Sequence, residues 1–141
     1  MRRFFRAVRA TTIEEWRFLA ALVPLALCVH LLTRMLGFNR AVRCLPPART
    51  PPDAAAGQAP QGYRRMIGWA QRFAPLINCL SVSTAAWWLL RRRGIAVQMK
   101  FGVARCEAQL LAHAWLECQG RPVTNEPGLR GRYTAFDASI L

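Results

Sequence analysis

The sequence predicts an α+β domain with helices in its N-terminal part and a small antiparallel sheet after them. Three observations carry that expectation. A long apolar segment of helical character follows a capping pattern at Thr12, a second helix is bounded by Asn78 and Gly94, and two alternating strands lead into a Gln119-Gly120 turn. The chain has 141 residues, the size of one domain with one core. Hydrophobic residues make up 53% and include five Trp, enough apolar material to fold.

The first helix is expected from Thr12 to about Leu36. Thr12 is an N-cap with Glu15 three residues on, Glu14 and Glu15 favour the helix dipole, Arg34 suits the last turn and Gly37 stops it. Pro24 is expected to kink this helix or divide it. Its apolar run, Phe18 to Leu32, has fifteen residues with Pro24 and His30 inside and Arg17 and Arg34 outside, short of the roughly 20 that a membrane span requires. A buried or partner-docking helix is the expectation, with peripheral membrane contact left open by the flanking basic residues.

Residues 46–62 hold five Pro among Ala and Gly and read as an extended linker. The expected organisation is therefore an N-terminal helical region over 1–45, the linker, and a second unit over 63–141. A short helix is expected from Arg64 to Arg72. The next begins at Cys79 behind the N-cap Asn78, carries Leu80, Ala86, Trp87 and Leu90 at helical spacing, and closes on Arg91–Arg93 before Gly94.

Ile95 to Val103 alternates, with Ile95, Val97, Met99, Phe101 and Val103 on one face, and reads as a half-buried strand. Leu110 to Cys118 reads as a second strand with His113, Trp115 and Glu117 on one face and Ala112, Ala114, Leu116 and Cys118 on the other. A hairpin at Gln119-Gly120 then returns antiparallel and is expected to bring Asn125 across from His113 to within about a residue of register.

The 20 Arg and Lys against 7 Asp and Glu give a formal charge of +13. Such a balance suits acidic partners in general. All but Lys100 of these cations are Arg, a bias that base composition alone produces, and no basic stripe is interleaved with aromatics, so nucleic acid is not expected as a partner. The five cysteines, Cys28, Cys44, Cys79, Cys106 and Cys118, form an odd set without paired spacing, and no cleavable signal peptide is apparent. A reducing cytoplasm is the expected location.

Cys79 falls in the first turn of a helix, where unpaired N–H groups and partial positive charge stabilise a thiolate and help hold an oxyanion. An ordinary cysteine there would be core filler; its companions give it chemistry. His113 is a candidate general base, and an Asn125 amide oxygen accepting the Nδ1–H would fix its tautomer and aim Nε2 at the thiol. Cys79, His113 and Asn125 occur in papain's order.

Asn78-Cys79-Leu80, the Leu-Leu-Arg-Arg-Arg-Gly-Ile of residues 89–95, Gly102-Val103 and the Ala-His-Ala-Trp-Leu-Glu of residues 112–117 together resemble the lasso peptide biosynthesis leader peptidases of the transglutaminase-like superfamily. The resemblance covers roughly Arg64 to Asp137. It implies a papain/transglutaminase-like fold with the catalytic Cys at the N-terminus of a helix packed on the sheet that carries the His. It further implies a cofactor-free cysteine peptidase that removes the leader from a ribosomally made lasso precursor before a separate ATP-dependent cyclase closes the macrolactam ring. The triad would fall on Cys79, His113 and Asn125, the last in place of the commoner Asp, with Glu126 and Asp137 as alternative carboxylates. In this family a small winged-helix protein holds the leader, either fused upstream or as a separate chain. Residues 1–45 read as helix, so the split form with a separate recognition partner is expected, and the cyclase is a further candidate partner.

Three other readings compete. A zinc site of Cys79, Cys106, His113 and Cys118 lacks a Cys-x-x-Cys knuckle and would need Cys118 on the same strand face as His113. A Cys-His acyltransferase shares the thioester step. A non-catalytic binding or assembly protein of this fold would need no intact Cys-His pair.

Overall fold

A computed structural model describes residues 12–47, 61–72, 76–106, 109–123 and 133–136. The described helices are α1 (Ile13–Leu36), α2 (Phe38–Arg43), α3 (Gln61–Arg72) and α4 (Cys79–Arg92). The described strands are β1 (Gln98–Cys106), β2 (Gln109–Cys118), β3 (Arg121–Pro122) and β4 (Thr134–Phe136). The strands form one antiparallel sheet in the order β3-β2-β1-β4. The expected α+β architecture is the observed one.

Local chemistry explains the helix limits. Thr12 and Glu15 cap each other: the Glu15 N–H donates to Thr12 Oγ1 at 3.3 Å and the Thr12 N–H to the Glu15 carboxylate at 2.9 Å. Gly37, at φ +81°, ends α1 and donates its N–H to the Thr33 carbonyl. Pro24 does not divide the helix. It lies on the exposed side, as does Ala20, whose carbonyl loses its usual helical donor, so water can replace the missing bond. The resulting 24-residue helix is longer than the apolar run alone, and by length and composition it would suffice to cross a membrane. One of its faces, however, is built into the protein. Phe18, Leu22 and Ala26 are fully buried in the same cluster as Met66 and Ile67 of α3, Val82, Ala86 and Leu90 of α4, and Leu116 of β2.

The three arginines at the end of α4 have packing roles. Arg91 lies over Trp87, Arg92 over Trp88, and Arg93 over both Phe18 and Tyr63, with guanidinium-to-ring distances of 4.7–5.6 Å. They also place positive charge at the negative end of the helix.

Several boundaries differ from the sequence expectation: β1 runs on to Cys106 rather than Val103, and β2 starts at Gln109 rather than Leu110. α3 starts at Gln61. β1 begins at Gln98 rather than Ile95, because α4 ends in a tight reversal: Gly94 takes φ +78° and the Ile95 N–H bonds back to the Leu90 carbonyl. Ile95 to Val97 are thus committed to leaving the helix, although Val97 and Met99 still turn into the core as the alternation predicts. The Gln119-Gly120 turn has φ +49° and +70°, the left-handed pair of a tight hairpin, as expected. Cys118 pairs with Arg121 and Glu117 with Pro122, and the Val123 N–H donates to the Leu116 carbonyl at 2.7 Å. Arg64 of α3 holds this return by donating to the Pro122 and Val123 carbonyls at 3.2 and 3.3 Å.

Candidate active site

Asn78 sets the start of α4. Its side-chain oxygen accepts from the Ser81 N–H at 2.8 Å and the Ser81 hydroxyl at 2.6 Å, so Cys79 becomes the first helical residue. The thiol is half-buried and hydrogen-bonded to the His113 imidazole. The backbone N–H groups of Ala114 and Leu80 also bond to it.

These groups pull the Cys79 pKa below the usual thiol value. The His113 hydrogen bond is the largest cause; burial opposes it, and the Ala114 N–H, the charge of His113 and the Leu80 N–H reinforce it. Four of the five influences favour the thiolate.

The position of β2 explains how one cysteine meets both His113 and Ala114. His113 lies opposite Gly102 and Ala114 opposite Phe101 in the β1 ladder. In an antiparallel ladder, alternate residues turn their N–H and C=O away from the partner strand. Ala114 is such a residue: its N–H reaches Cys79, and its carbonyl accepts the Ser83 hydroxyl at 2.9 Å in a fully buried contact. Two residues one helical turn apart on α4 therefore grip both polar groups of one β2 residue. Ser83 carries no signal in the sequence, where it reads only as a poor helix former.

The imidazole is held by aromatic rings. His113 stacks on Trp115 (centroids 6.2 Å apart, planes at 16°) and on Tyr133 (5.3 Å, 30°). The Trp115 indole N–H donates to the buried Glu117 carboxylate at 3.1 Å. Gly102 leaves room for this assembly, since a Cβ there would lie 2.8 Å from the Trp115 ring and 3.0 Å from Tyr133 Cβ. The alternation of β2 predicts His113, Trp115 and Glu117 on one face, and they share it. Neither Tyr133 nor the packing role of Gly102 has a local signal in the sequence, because nothing there marks a loop tyrosine as a neighbour of a strand 20 residues earlier.

Of the expected triad, Cys79 and His113 are in contact, but their hydrogen bond does not run through Nε2 as expected, which leaves Nδ1 as the nitrogen facing the thiol. Asn125 lies outside the described residues, as do the alternative carboxylates Glu126 and Asp137. Cys118 sits in the core with Leu116, on the face of β2 opposite His113, so the four residues of the zinc reading are not gathered around one point. Only the backbone of Cys106 is described.

A thiol with a lowered pKa, hydrogen-bonded to an imidazole at a helix N-terminus, is equipped for nucleophilic attack on an acyl carbon followed by proton transfer. Residues 19–136 match the family model described as the transglutaminase-like superfamily, and this span contains every group of the site. No curated protein and no solved structure is significantly similar to the chain.

Proposed function

The chain belongs to the transglutaminase-like superfamily, and from that premise we propose that it is a cytoplasmic cysteine endopeptidase which removes the leader from a ribosomally made lasso precursor peptide. The observation that carries the reading is the hydrogen bond between Cys79 and His113 at the start of α4. The superfamily supports Cys-His chemistry of the peptidase or acyl-transfer type. The leader-peptidase assignment rests on the resemblance of residues 78–80, 89–95, 102–103 and 112–117 to that group.

In the proposed reaction His113 takes the Cys79 thiol proton and the thiolate attacks the carbonyl carbon of the last leader residue. The Cys79 backbone N–H helps hold the oxyanion. The C–N bond breaks as His113 returns the proton to the departing amine, leaving a thioester. His113 then deprotonates water, which attacks the thioester, and the thiol and a new leader carboxylate are released. Asn125 is the proposed orienter of His113. A separate winged-helix protein delivers the leader, and an ATP-dependent cyclase consumes the product.

The test is incubation of a lasso precursor with this chain and its recognition protein, followed by mass spectrometry of the leader fragment in the presence and absence of an added amine. Hydrolysis adds water at the cut. Incorporation of the amine instead would identify acyl transfer and refute the peptidase reading. If Asn125 is the orienter, Asn125→Ala slows cleavage well short of the loss from His113→Ala; equal losses, or none, would place the orienter elsewhere.

A further inference from the structure

The outward face of α1 plays no part in the site, and its composition is unusual. A helix on the surface of a water-soluble core ordinarily turns charged residues outward. Here one side of α1 is buried through Phe18, Leu22, Ala26 and Val29. The other side is also apolar, yet Ala20, Pro24, Leu27, Cys28 and Leu31 are exposed. At 3.6 residues per turn these five fall within an arc of about 100°, so they form one continuous stripe. Leu27 is 44% and Leu31 52% exposed, and Met35 extends the stripe at 81%.

The surroundings of the stripe identify what would cover it. No charged residue lies between Arg17 and Arg34. Those two are exposed at the ends of the stripe, and Arg40 and Arg43 of α2 are exposed just beyond. Trp16, 43% exposed, stands near the N-terminal end, a residue type that favours membrane interfaces. A second copy is a poor occupant, because each chain carries a formal charge of +13. A spanning arrangement would strip Phe18, Leu22 and Ala26 from the core they share with α3 and α4.

We propose that α1 docks the protein on an anionic membrane surface. The helix lies parallel to the bilayer, its outer stripe meets the boundary between headgroups and acyl chains, and the arginines at either end contact anionic headgroups. The protein is then peripheral and reversibly bound, and its core stays in water. This inference rests on exposure and charge and stands whether or not the peptidase reading does.

Vesicle flotation of the full chain tests it, with phosphatidylcholine vesicles set against vesicles that also contain phosphatidylglycerol. Wild type should float with the anionic vesicles, remain behind with the neutral ones, and dissociate as salt is raised. Replacing two exposed leucines together, Leu27→Glu and Leu31→Glu, should weaken binding at least about tenfold. The thermal melt and the rate of Cys79 alkylation should not change. Arg17→Glu with Arg34→Glu should weaken binding as well, with the stripe intact. Failure of wild type to bind anionic vesicles overturns the proposal, and so does undiminished binding by the leucine double variant, which would mean diffuse charge attraction. Self-association that the leucine variant abolishes, without vesicle binding, would assign the stripe to a second copy and equally overturn it. Protection of residues 20–35 from hydrogen exchange by a purified recognition protein, but not by vesicles, would assign it to a protein partner with the same consequence.

Discussion

Cys79 is poised by groups that act on it from two different elements. Leu80 belongs to its own helix, whereas His113 and the Ala114 N–H come from β2. Alkylation of Cys79 measured against pH should therefore show a midpoint below that of an ordinary cysteine, and His113→Ala should raise it, since the largest stabilising influence is removed. The sign for stability follows. A lowered native pKa means that the thiolate stabilises the fold above the unfolded thiol's pKa, about 8.5, and that this contribution is lost as pH falls through the lowered native value. The pH dependence of unfolding between those values should flatten in Cys79→Ala. Ser83 acts at one remove, through Ala114. Ser83→Ala leaves the buried Ala114 carbonyl without its 2.9 Å donor, at a cost of about 1–3 kcal/mol. If Ser83 positions β2 against the thiol, the same variant also raises the Cys79 alkylation midpoint. An unchanged midpoint with lowered stability would make its role structural alone.

At the scale of elements, the sheet's inner face builds the core and its other face builds the support for His113. Gly102 is the hinge between strand pairing and site geometry, because it sits directly opposite His113 in the β1–β2 ladder. Gly102→Ala puts a methyl group 2.8 Å from the Trp115 ring. Overpacking of this kind costs about 1–3 kcal/mol, and the displaced indole should shift the imidazole stacked on it. A lower melting temperature together with slower Cys79 alkylation is the expected outcome. What was legible in the sequence follows the same division. The cap at Thr12, the start of α4 at Asn78, the hairpin at Gln119-Gly120 and the faces of β2 all depend on neighbours within four residues, and each is observed. β1 lies three residues beyond its expected position because an extended segment leaving a helix shows the same alternation as a paired strand. Of the two outcomes Pro24 allows, a kink or a division, division does not occur, since the cost of a missing hydrogen bond depends on whether water reaches the orphaned carbonyl, and the sequence does not carry that information. Ser83, Tyr133 and Gly102 act only across elements, so no local pattern announced them.

For the whole molecule, the N-terminal helix is part of the core that carries the site. Phe18 contacts both the Tyr63 ring of α3 and the Arg93 guanidinium at the end of α4, so α1 buttresses the helix whose first residue is Cys79. The family match, which begins at residue 19, includes α1 from that position onward. The charge of +13 also takes on a partial structural meaning: Arg64 and Arg65 bind a strand return and Glu15, and Arg91 to Arg93 pack on aromatics. Arg17 and Arg34, exposed at the ends of α1, are the cations that the proposed membrane contact uses. These features organise one proposed activity around a single sulfur atom. Its most direct test is the rate at which wild type, Cys79→Ala and His113→Ala, each supplied with the recognition protein, remove the leader from a lasso precursor. The two variants are predicted to lose at least about a thousandfold in rate, with folding retained. Cleavage by Cys79→Ala at the wild-type rate would contradict the account.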